Sequence, residues 1–388
     1  MPRLKVLHVV SISFSLPYFI GEQFTFFKQR GVDFQVVASP SAHFLSYSEK
    51  MDFDPFPIVI KRSVSPLQDL KSIFAIRRLI LNEKVDIVIG HTPKGGMIAM
   101  VAAFLAGNKK RVYVRHGIMF ETSSGIKRLL LISIERLTGF LAKKVVCVSP
   151  SILKVSNDKR LSKRKHNFVL GKGTCNGIDG IRFAPENVSH EVKEQLRCQY
   201  NIAVDDQVVG YVGRIVNDKG IRELYDAWQI VKLQRPGVKL LLVGPFEERD
   251  GLSLKLKEDI LADCTIICVG LVNDVLDYYS LMNVFVLPSY REGFPTVVLE
   301  ASAMELPVVT TRATGCIDSI INRETGRFTS LAPEDLASNI LFYLVNREVA
   351  QNDGRKGREF VVDNFSQHIV WEEIENKVIN NWHSNRVE

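Results

Sequence analysis

Short apolar runs alternate with amphipathic stretches of helical length along the whole chain. In the first half, strand-like runs are predicted at residues 5–10, 34–38, 58–60, 86–90, 111–115, 145–148 and 168–171. Helical patterns lie between them, at residues 21–29, 67–81, 95–106 and 127–142. Continuous apolar runs of this length are typical of strands that are buried on both faces of a parallel sheet. The first half therefore predicts a doubly wound α/β domain.

The same alternation starts again after the segment Asn176-Gly177-Ile178-Asp179. Strands are predicted at residues 207–212, 239–243, 265–269, 284–287 and 307–310, and helices at 220–234, 275–281, 300–304 and 333–346. We expect an α/β protein with two Rossmann-like domains, residues 1–180 and 181–365, and a C-terminal helix, 366–388, that packs back on the first domain. Ligands of such sheets bind at the carboxyl ends of the strands, so a cleft between the two domains is the expected site.

Composition narrows the class of protein. The chain has 388 residues, of which 46% are hydrophobic and 24% are charged, as in ordinary globular proteins. No apolar run approaches the roughly 20 residues that span a bilayer. The first ten residues, MPRLKVLHVV, are interpreted as a buried strand and not as a signal peptide. The six scattered cysteines predict reduced thiols in a cytoplasmic protein and no zinc site.

Charge is distributed unevenly between the two halves. Residues 1–175 contain 28 Lys and Arg against 11 Asp and Glu, whereas the rest of the chain contains 22 against 32. A basic half predicts an anionic partner, such as a lipid surface, a pyrophosphate-linked substrate or nucleic acid, unless these lysines are merely solvated. Residues 159–166, KRLSKRKH, suit anionic lipid. Residues 127–144, basic at both ends, predict a helix in a membrane interface or one buried between helices. No nucleic-acid module accompanies them, so nucleic acid is not expected.

Two carboxylates follow a predicted strand of the second half. The apolar run 284–288, VFVLP, leads into residues 289–300, SYREGFPTVVLE, where Glu292 lies in a turn and Glu300 in a helix. Helix N-termini bind phosphate, while carboxylates would repel it and are suited to hydroxyl groups. A ligand with both phosphate and sugar hydroxyls, a nucleotide sugar, fits this pattern.

Two cations follow the first strand of the second half. After residues 208–212, VVGYV, the chain continues as GRIVNDKG, residues 213–220. Gly213 permits close backbone approach, and Arg214 and Lys219 can both reach a diphosphate. A surface loop with two cations is the alternative interpretation of this segment taken alone.

The joint order of these motifs resembles the retaining glycosyltransferases of the GT-B fold, family 4. Residues 176–179 are similar to the linker of that family, and residues 270–275, GLVNDV, together with Tyr278 and Tyr279, to its segment beside the nucleobase. Residues 91–96, HTPKGG, and 115–117, RHG, resemble the PglA-like and CapM-like subgroup, which builds bacterial capsule, O-antigen and lipid-linked glycans. The resemblance runs along most of the chain and implies two Rossmann-like domains that face each other across a cleft.

The resemblance also implies roles for individual residues. Arg214 and Lys219 would neutralise the donor diphosphate. Glu300 would bind the ribose, and Glu292 the hydroxyls of the transferred sugar. His116, which ends a strand, would reach the sugar or the β-phosphate; a packed core histidine is the alternative. The other implied substrate-binding residues are Gly21, Gly213, Leu271, Val275, Gly293, Phe294, Pro295 and Thr296. The family is usually described as using front-face attack, in which the leaving phosphate takes the proton of the acceptor.

These features predict a retaining transfer from a nucleotide sugar to a polyprenyl-diphosphate-linked acceptor, at the inner face of the plasma membrane. The expected donor is a UDP-sugar, with an N-acetylhexosamine as one candidate. No metal cofactor is expected, because the two cations supply the positive charge, and Asp52-Phe53-Asp54 is interpreted as solvated. A nucleotide-sugar epimerase of the same fold and a non-catalytic glycan- or nucleotide-binding protein are the alternatives. A dehydrogenase is disfavoured, since no G-x-G-x-x-G follows the first strand of either domain.

The loop after the first predicted strand departs from the family pattern. Residues 11–21, SISFSLPYFIG, contain the single glycine Gly21, where many members have a pair. The loop and the helix after it are also rich in aromatic residues. These are expected either to pack in the core or to form an apolar entrance for a lipid-linked acceptor, and they are Phe14, Tyr18, Phe19, Phe24, Phe26 and Phe27.

Overall fold

The computed structural model describes residues 3–61, 63, 65–248 and 250–382. The chain divides into two compact units. One takes in the described residues up to Gly177 together with those from Gln367 onward, and the other is Ile178–Ser366. Each unit contains one parallel sheet with helices between successive strands. The prediction of two doubly wound α/β folds is therefore confirmed.

The first unit contains a seven-stranded sheet. Its strands are β1 (Leu4–Val9), β2 (Val32–Ala38), β3 (Asp54–Pro57), β4 (Ile87–His91), β5 (Arg111–Arg115), β6 (Lys144–Cys147) and β7 (Asn167–Phe168). They lie in the order β3-β2-β1-β4-β5-β6-β7, and every pair is parallel. The order reverses direction between β1 and β4, whose facing residues are completely or almost completely buried.

Helices cover this sheet. They are α1 (Leu16–Phe19), α2 (Gln23–Lys28), α3 (Ala42–Met51), α4 (Pro66–Asn82), α5 (Pro93–Leu105), α6 (Gly125–Leu141) and α7 (Pro150–Asp158). Helix α5 packs directly on the sheet, because a Cβ atom on Gly96 would lie 2.4 Å from the Tyr113 ring. The glycine therefore sets how closely this helix approaches β5.

The second unit contains a six-stranded sheet. Its strands are β8 (Gln207–Val212), β9 (Val238–Val243), β10 (Ile266–Gly270), β11 (Val284–Leu287), β12 (Val308–Thr311) and β13 (Gly326–Thr329). They lie in the order β10-β9-β8-β11-β12-β13, again all parallel. The helices are α8 (His190–Gln199), α9 (Ile221–Gln234), α10 (Leu254–Ala262), α11 (Leu276–Tyr279), α12 (Thr296–Ala303), α13 (Pro333–Val345) and α14 (Arg347–Phe365).

The C-terminal helix α15 (Gln367–Ile374) continues as a π-helical segment, Glu375–Asn380. The indole Nε1 of Trp371 donates to the carbonyl oxygen of Asn176, at 3.0 Å. Lys144 Nζ donates to the carbonyl oxygen of Asn381, at 2.5 Å, and also to that of Lys377. These contacts attach α15 and the segment after it to the first unit. No helix in the described part of the chain combines the length and apolar character that crossing a bilayer requires.

Most predicted helices agree with the structure to within about two residues at each end, which is the usual uncertainty of helix boundaries. The strand predicted at residues 58–60 is wrong. The strand is instead Asp54–Pro57, which pairs with β2 alone at the edge of the sheet. Pro55 and Pro57 lack N–H donors, so this segment does not have the sequence pattern of a strand. An edge strand tolerates proline because one of its two sides forms no hydrogen bonds with a neighbouring strand.

Several elements had no prediction. Helix α14 was missed because Gly354 and Gly357 interrupt its pattern. A Cβ atom on Gly354 would lie 1.9 Å from the carbonyl oxygen of Glu305, so packing requires the glycine that weakens the helical signal. The other helices and strands without a prediction are the helices α1, α3, α7, α8 and α10 and the edge strand β13.

Candidate active site

The second sheet changes direction between two neighbouring strands, β8 and β11. Strands β9 and β10 lie on one side of this pair, and β12 and β13 on the other. Because the strands are parallel, their carboxyl ends meet at one edge of the sheet. Arg214 follows β8 at this edge, and Glu292 follows β11. Open α/β sheets bind ligands at such a point of reversal.

Glycines bring the backbones together at this edge. Gly220, with φ +72°, is the N-cap of α9, and a Cβ atom there would lie 2.0 Å from the carbonyl oxygen of Pro288. Gly244, with φ +143°, would place a Cβ atom 1.9 Å from the carbonyl oxygen of Gly213. Both positions therefore exclude a side chain. The loops after β8, β9 and β11 are packed backbone to backbone as a result.

Lys219 and Glu292 form an ion pair across these loops. Lys219 Nζ lies 2.5 Å from Glu292 Oε1, and the two side chains are only 15% and 13% exposed. The hydroxyl of Ser289, which is fully buried, donates to the same carboxylate oxygen at 2.7 Å. The Glu292 backbone N–H donates to the carbonyl oxygen of Thr314 at 2.9 Å. Cation and carboxylate are thus held in a partly desolvated, internally neutralised pair.

Arg214 is also held by acidic groups. Its Nη1 donates to Glu247 Oε2 at 3.0 Å, and its Nη2 lies 4.0 Å from Asp218 Oδ1. Arg291 donates to the other oxygen of Asp218, at 2.8 Å. Burial alone would lower the pKa of Arg214, but the hydrogen bond and charge of Glu247 raise it, so the guanidinium stays charged. The backbone carbonyl of Arg214 accepts from Tyr211 Oη at 2.7 Å, which fixes the start of the loop.

Glu300 is a buried carboxylate on α12. Tyr279 Oη donates to its Oε2 at 2.8 Å. Burial raises the pKa of Glu300, the hydrogen bond from Tyr279 and the positive charge of Arg182 lower it, and the negative charge of Asp274 raises it further. The net direction is upward, so the site keeps a carboxylate at a cost in stability.

A short loop, residues 293–295, and the start of α12 separate the two carboxylates. A Cβ atom on Gly315, with φ +83°, would lie 2.5 Å from the carbonyl oxygen of Gly293, so the two backbones are in contact. The ring centroid of Phe294 lies 5.1 Å from that of Phe365. Pro295 is the N-cap of α12, and Thr296 is its first residue. Helix α12 therefore begins four residues after Glu292, and the free N–H groups of a helix N-terminus suit an anion.

The predicted nucleobase segment follows β10. Leu271 is 64% exposed, and Val275 precedes α11. Asp274 Oδ1 accepts from the N–H of Leu276 at 3.0 Å and from Arg182 Nη2 at 2.7 Å. The last residue of α11, Tyr279, is the one that contacts Glu300. A hydrogen bond thus connects this segment with the second carboxylate.

His116 belongs to a chain of histidines in the first unit. His116 Nε2 lies 2.9 Å from His91 Nδ1, and His91 Nε2 lies 2.9 Å from His8 Nδ1. Burial lowers the pKa of all three imidazoles, that of His91 to about 3. For His8 and His116 the charge of His91 lowers the pKa further. The Phe19 ring stacks on His116 with centroids 3.7 Å apart, and Cys175 Sγ lies 3.7 Å from His116 Nδ1.

Gly21 has a structural reason to be glycine. Its φ is +53°, and a Cβ atom there would lie 2.8 Å from the carbonyl oxygen of Pro17 and 2.9 Å from Asn176 Nδ2. Gln23 Nε2 donates to Asn176 Oδ1 at 2.8 Å, and Trp371 donates to the same residue. Close packing against Asn176 explains the glycine, and its predicted contact with the donor stays a prediction.

The aromatic residues of this region divide into two groups. Phe24 and Phe27 are buried, as core packing predicts. Phe26 packs on Trp371 with ring centroids 5.0 Å apart. Phe14 and Tyr18 are about half exposed, and their rings lie 5.9 Å apart.

The second unit brings together the predicted cations, both carboxylates and the turn between them, while Gly21 and His116 lie in the first unit. Several of the groups that hold these side chains had no predicted site role. A polar residue directly after a buried strand was the available signal for Ser289 and His91. In the described ranges, no group of three or more His, Cys, Asp or Glu side chains could hold a metal ion. Metal independence stays a prediction. The residues without a predicted role are His8, His91, Asp218, Glu247 and Ser289.

Two protein-family models match the chain. Residues 22–166 match the model described as Glycosyltransferase Family 4, and residues 206–346 match the one described as Glycosyl transferases group 1. Together they cover most of both units. The second match contains the two cations and both carboxylates of the site.

Individual proteins are similar over nearly the whole length. The chain is 34% identical over 376 residues to the capsular polysaccharide biosynthesis glycosyltransferase CapM of Staphylococcus aureus, covering 97% of each. It is 25% identical over 370 residues to the UDP-Gal:alpha-D-GlcNAc-diphosphoundecaprenol alpha-1,3-galactosyltransferase of Escherichia coli, covering 94% of this chain and 91% of the relative. The structure of Anabaena Alr3699/HepE in complex with UDP and glucose superposes with a TM-score of 0.81 at 18% identity, covering 96% of this chain and 99% of that one. The GT-B fold prediction is confirmed.

Proposed function

This chain is a member of the family 4, group 1 glycosyltransferases, and on that premise we propose that it transfers a sugar from a UDP-sugar to a lipid-linked glycan during synthesis of a bacterial surface polysaccharide. One observation carries the proposal: where β8 and β11 end, Lys219 pairs with Glu292 and Arg214 pairs with Glu247. The names of the two relatives, a capsular polysaccharide enzyme and a diphosphoundecaprenol galactosyltransferase, support the acceptor class.

The donor is proposed to occupy the carboxyl edge of the second sheet. Arg214 and Lys219 bind the diphosphate, Glu300 the ribose hydroxyls, and Glu292 the hydroxyls of the sugar. Because carboxylates already neutralise both cations, donor binding is an exchange of anionic partners. The solved relative in complex with UDP and glucose supports a uridine nucleotide. An N-acetylhexosamine is one candidate for the sugar.

The proposed reaction retains the configuration of the anomeric carbon. The bond from that carbon to the β-phosphate oxygen breaks as the acceptor hydroxyl attacks from the same face. The hydroxyl proton passes to an oxygen of the leaving phosphate. Arg214 and Lys219 stabilise the charge that develops on this phosphate, which is the kind of electrostatic stabilisation that lowers barriers most.

We propose further that the reaction needs no metal ion. Positive charge next to the diphosphate comes from side chains, and Arg214 stays protonated because of Glu247. A chelator such as EDTA should leave turnover unchanged. Loss of turnover that added Mg²⁺ or Mn²⁺ restores would contradict this part of the proposal.

An anionic membrane is the proposed partner of the first unit, with the enzyme held peripherally at the cytoplasmic face of the plasma membrane. Helix α6 exposes apolar side chains at helical spacing, as a helix in a membrane interface would. Basic residues surround them at 127–128 and 159–166, and Lys163 Nζ lies 5.6 Å from the Phe140 ring centroid. An apolar face with a basic margin suits an anionic lipid surface. The exposed apolar residues of α6 are Ile126, Leu129, Leu130, Leu137 and Phe140.

The direct test supplies a panel of UDP-sugars together with an undecaprenyl-diphosphate-linked saccharide. We expect extension of the acceptor by one sugar, with the same anomeric configuration in product and donor by NMR. An inverted linkage would contradict the retaining mechanism. Conversion of the UDP-sugar without any acceptor would favour the epimerase alternative, and UDP binding without any turnover would favour a non-catalytic binding protein.

A further inference from the structure

His8, His91 and His116 form a series of nitrogen–nitrogen contacts in the first unit, and the position of the proton on each ring sets the direction of the hydrogen bonds. We propose that His91 is a positioning residue, which fixes His116 in the tautomer with its proton on Nδ1, so that His116 donates a hydrogen bond to substrate. The inference rests on the proposed function for the identity of the substrate. The tautomer itself follows from the contacts inside the first unit.

The contacts form one continuous series. His8 Nδ1 meets His91 Nε2 at 2.9 Å, His91 Nδ1 meets His116 Nε2 at 2.9 Å, and His116 Nδ1 meets Cys175 Sγ at 3.7 Å. His8 and His91 are only 4% and 3% exposed. Burial lowers the pKa of each imidazole, so each ring is neutral and carries one N–H.

Two arrangements of protons satisfy both nitrogen–nitrogen contacts. In the first, every Nδ1 carries the proton, so His8 donates to His91, His91 donates to His116, and His116 donates toward Cys175. In the second, every Nε2 carries the proton and the direction is reversed. The two arrangements differ at both ends of the series, at His8 Nε2 and at His116 Nδ1.

His8 Nε2 discriminates between them. This nitrogen is buried and has no hydrogen-bond partner. The aromatic rings of Phe24 and Phe34 pack around His8, with centroids 6.3 Å and 5.2 Å from that of the imidazole. A buried N–H without a partner is rarer than an unpaired acceptor. The first arrangement leaves only a bare nitrogen there, so the structure favours protons on Nδ1.

The consequence lies at the other end of the series. His116 Nε2 is occupied by His91, and Phe19 covers one face of the ring. The Nδ1–H points toward Cys175 Sγ, a weak acceptor at long distance. An oxygen of the sugar or of a phosphate is a stronger acceptor and would replace the thiol. His116 then acts as a neutral donor and does not take the proton of the acceptor hydroxyl.

Nitrogen NMR of the intact protein with ¹⁵N-labelled histidine tests the tautomer without any turnover. Spectra of the wild type and of His116→Asn identify the His116 signals. We expect a protonated Nδ1 and a bare Nε2 for His116. A protonated Nε2 would overturn the inference whatever the enzyme transfers.

A matched pair of variants tests the positioning role. In His91→Asn, the amide nitrogen takes the place of Nδ1 and can still donate to His116, whereas His91→Leu has similar size and no donor. We expect His91→Leu to lower kcat by about 10²-fold with little change in KM for the donor, and His91→Asn to recover most of it. The His116 tautomer should become mixed in the leucine variant alone. Equal activities of the two variants, with both folded by circular dichroism, would refute the positioning role. Absence of transfer by the wild type would instead count against the proposed function.

Discussion

Lys219 Nζ lies 2.5 Å from Glu292 Oε1, so a cation from the loop after β8 is paired with a carboxylate from the loop after β11. The two residues are 73 positions apart in the chain. The pair occupies the point where the sheet changes direction, and Ser289 donates to the same carboxylate oxygen. When no nucleotide sugar is bound, the charges of Lys219 and Glu292 neutralise each other. A diphosphate that binds Lys219 would free Glu292 to accept hydroxyl groups of the sugar.

Lys219→Ala should lower kcat/KM by about 10²–10³-fold, because the leaving phosphate loses one of its two stabilising cations. The fold should remain intact, since Ser289 still donates to Glu292. Lys239→Ala is the control, because Lys239 is a lysine outside the proposed site, whose Nζ donates to the carbonyl oxygen of Cys264 at 3.4 Å. Initial rates with a fixed acceptor measure kcat/KM, and circular dichroism shows whether the fold is intact. Near-normal turnover of Lys219→Ala would contradict its assigned role.

Glu300→Gln should stabilise the second unit and weaken nucleotide binding. Burial raises the pKa of Glu300 above its value in the unfolded chain. The ionised carboxylate therefore lowers stability when the pH is above the pKa of the folded protein. This cost is lost as the pH falls through that pKa towards the pKa of the unfolded chain. A glutamine removes the charge, keeps the volume and can still accept from Tyr279. We expect a gain of about 1 kcal/mol in the free energy of unfolding at neutral pH. We also expect about tenfold or greater loss of UDP affinity, because hydrogen bonds to charged groups contribute about 1.5–3 kcal/mol.

Urea unfolding and calorimetric titration with UDP measure these two effects of Glu300→Gln. Glu258→Gln on α10 is the control, because Glu258 is exposed and should change neither quantity. Unchanged UDP affinity in Glu300→Gln would contradict the proposal that Glu300 binds the ribose. A loss of stability would contradict the direction of its pKa shift.

Gly315→Ala should disturb the site more than Gly270→Ala, although both glycines have φ +83°. The backbone strain of a left-handed residue, about 1–2 kcal/mol, is therefore common to the two variants. A Cβ atom at Gly270 meets nothing within 4 Å, whereas one at Gly315 would lie 2.5 Å from the carbonyl oxygen of Gly293. We expect about 1–3 kcal/mol of additional destabilisation in Gly315→Ala, with lower turnover because Glu292 must shift. Thermal unfolding and initial rates compare them, and equal effects would show that the contact carries no weight.

Replacing the apolar face of α6 should abolish binding to anionic vesicles. Leu129 and Phe140 are 65% and 66% exposed, so the double change of both to serine should leave the core untouched. Sedimentation with vesicles of phosphatidylglycerol and phosphatidylcholine should show salt-sensitive binding of the wild type, because basic residues contribute. Leu254→Ser is the control, since Leu254 is 80% exposed but lies in the second unit. Vesicle binding that does not depend on the salt concentration, or that persists in the double variant, would contradict the proposed membrane face.

Prediction from the pattern worked best where the signal is local. The apolar runs of β8 and β11 are buried throughout, and the helix boundaries depend on residues close in sequence. It failed at two of the edge strands, β3 and β13. Proline disguises β3, and β13 has a polar, half-buried pattern, because an edge strand is not enclosed on both sides. The start of α12 was placed four residues late, since its first residues, Thr296, Val297 and Val298, are β-branched and give a weak helical signal.

The sequence by itself determined the two α/β halves, the family to which the chain belongs, and the cations and carboxylates of the candidate site. These features depend on the periods of strands and helices and on motif spacings, which short segments contain. Only the tertiary structure decided which of these groups meet. The Lys219–Glu292 pair depends on β8 and β11 being neighbours, and the contact of His8 with His91 depends on β1 lying beside β4. Strand order is set by packing of the whole sheet, and no short segment contains it.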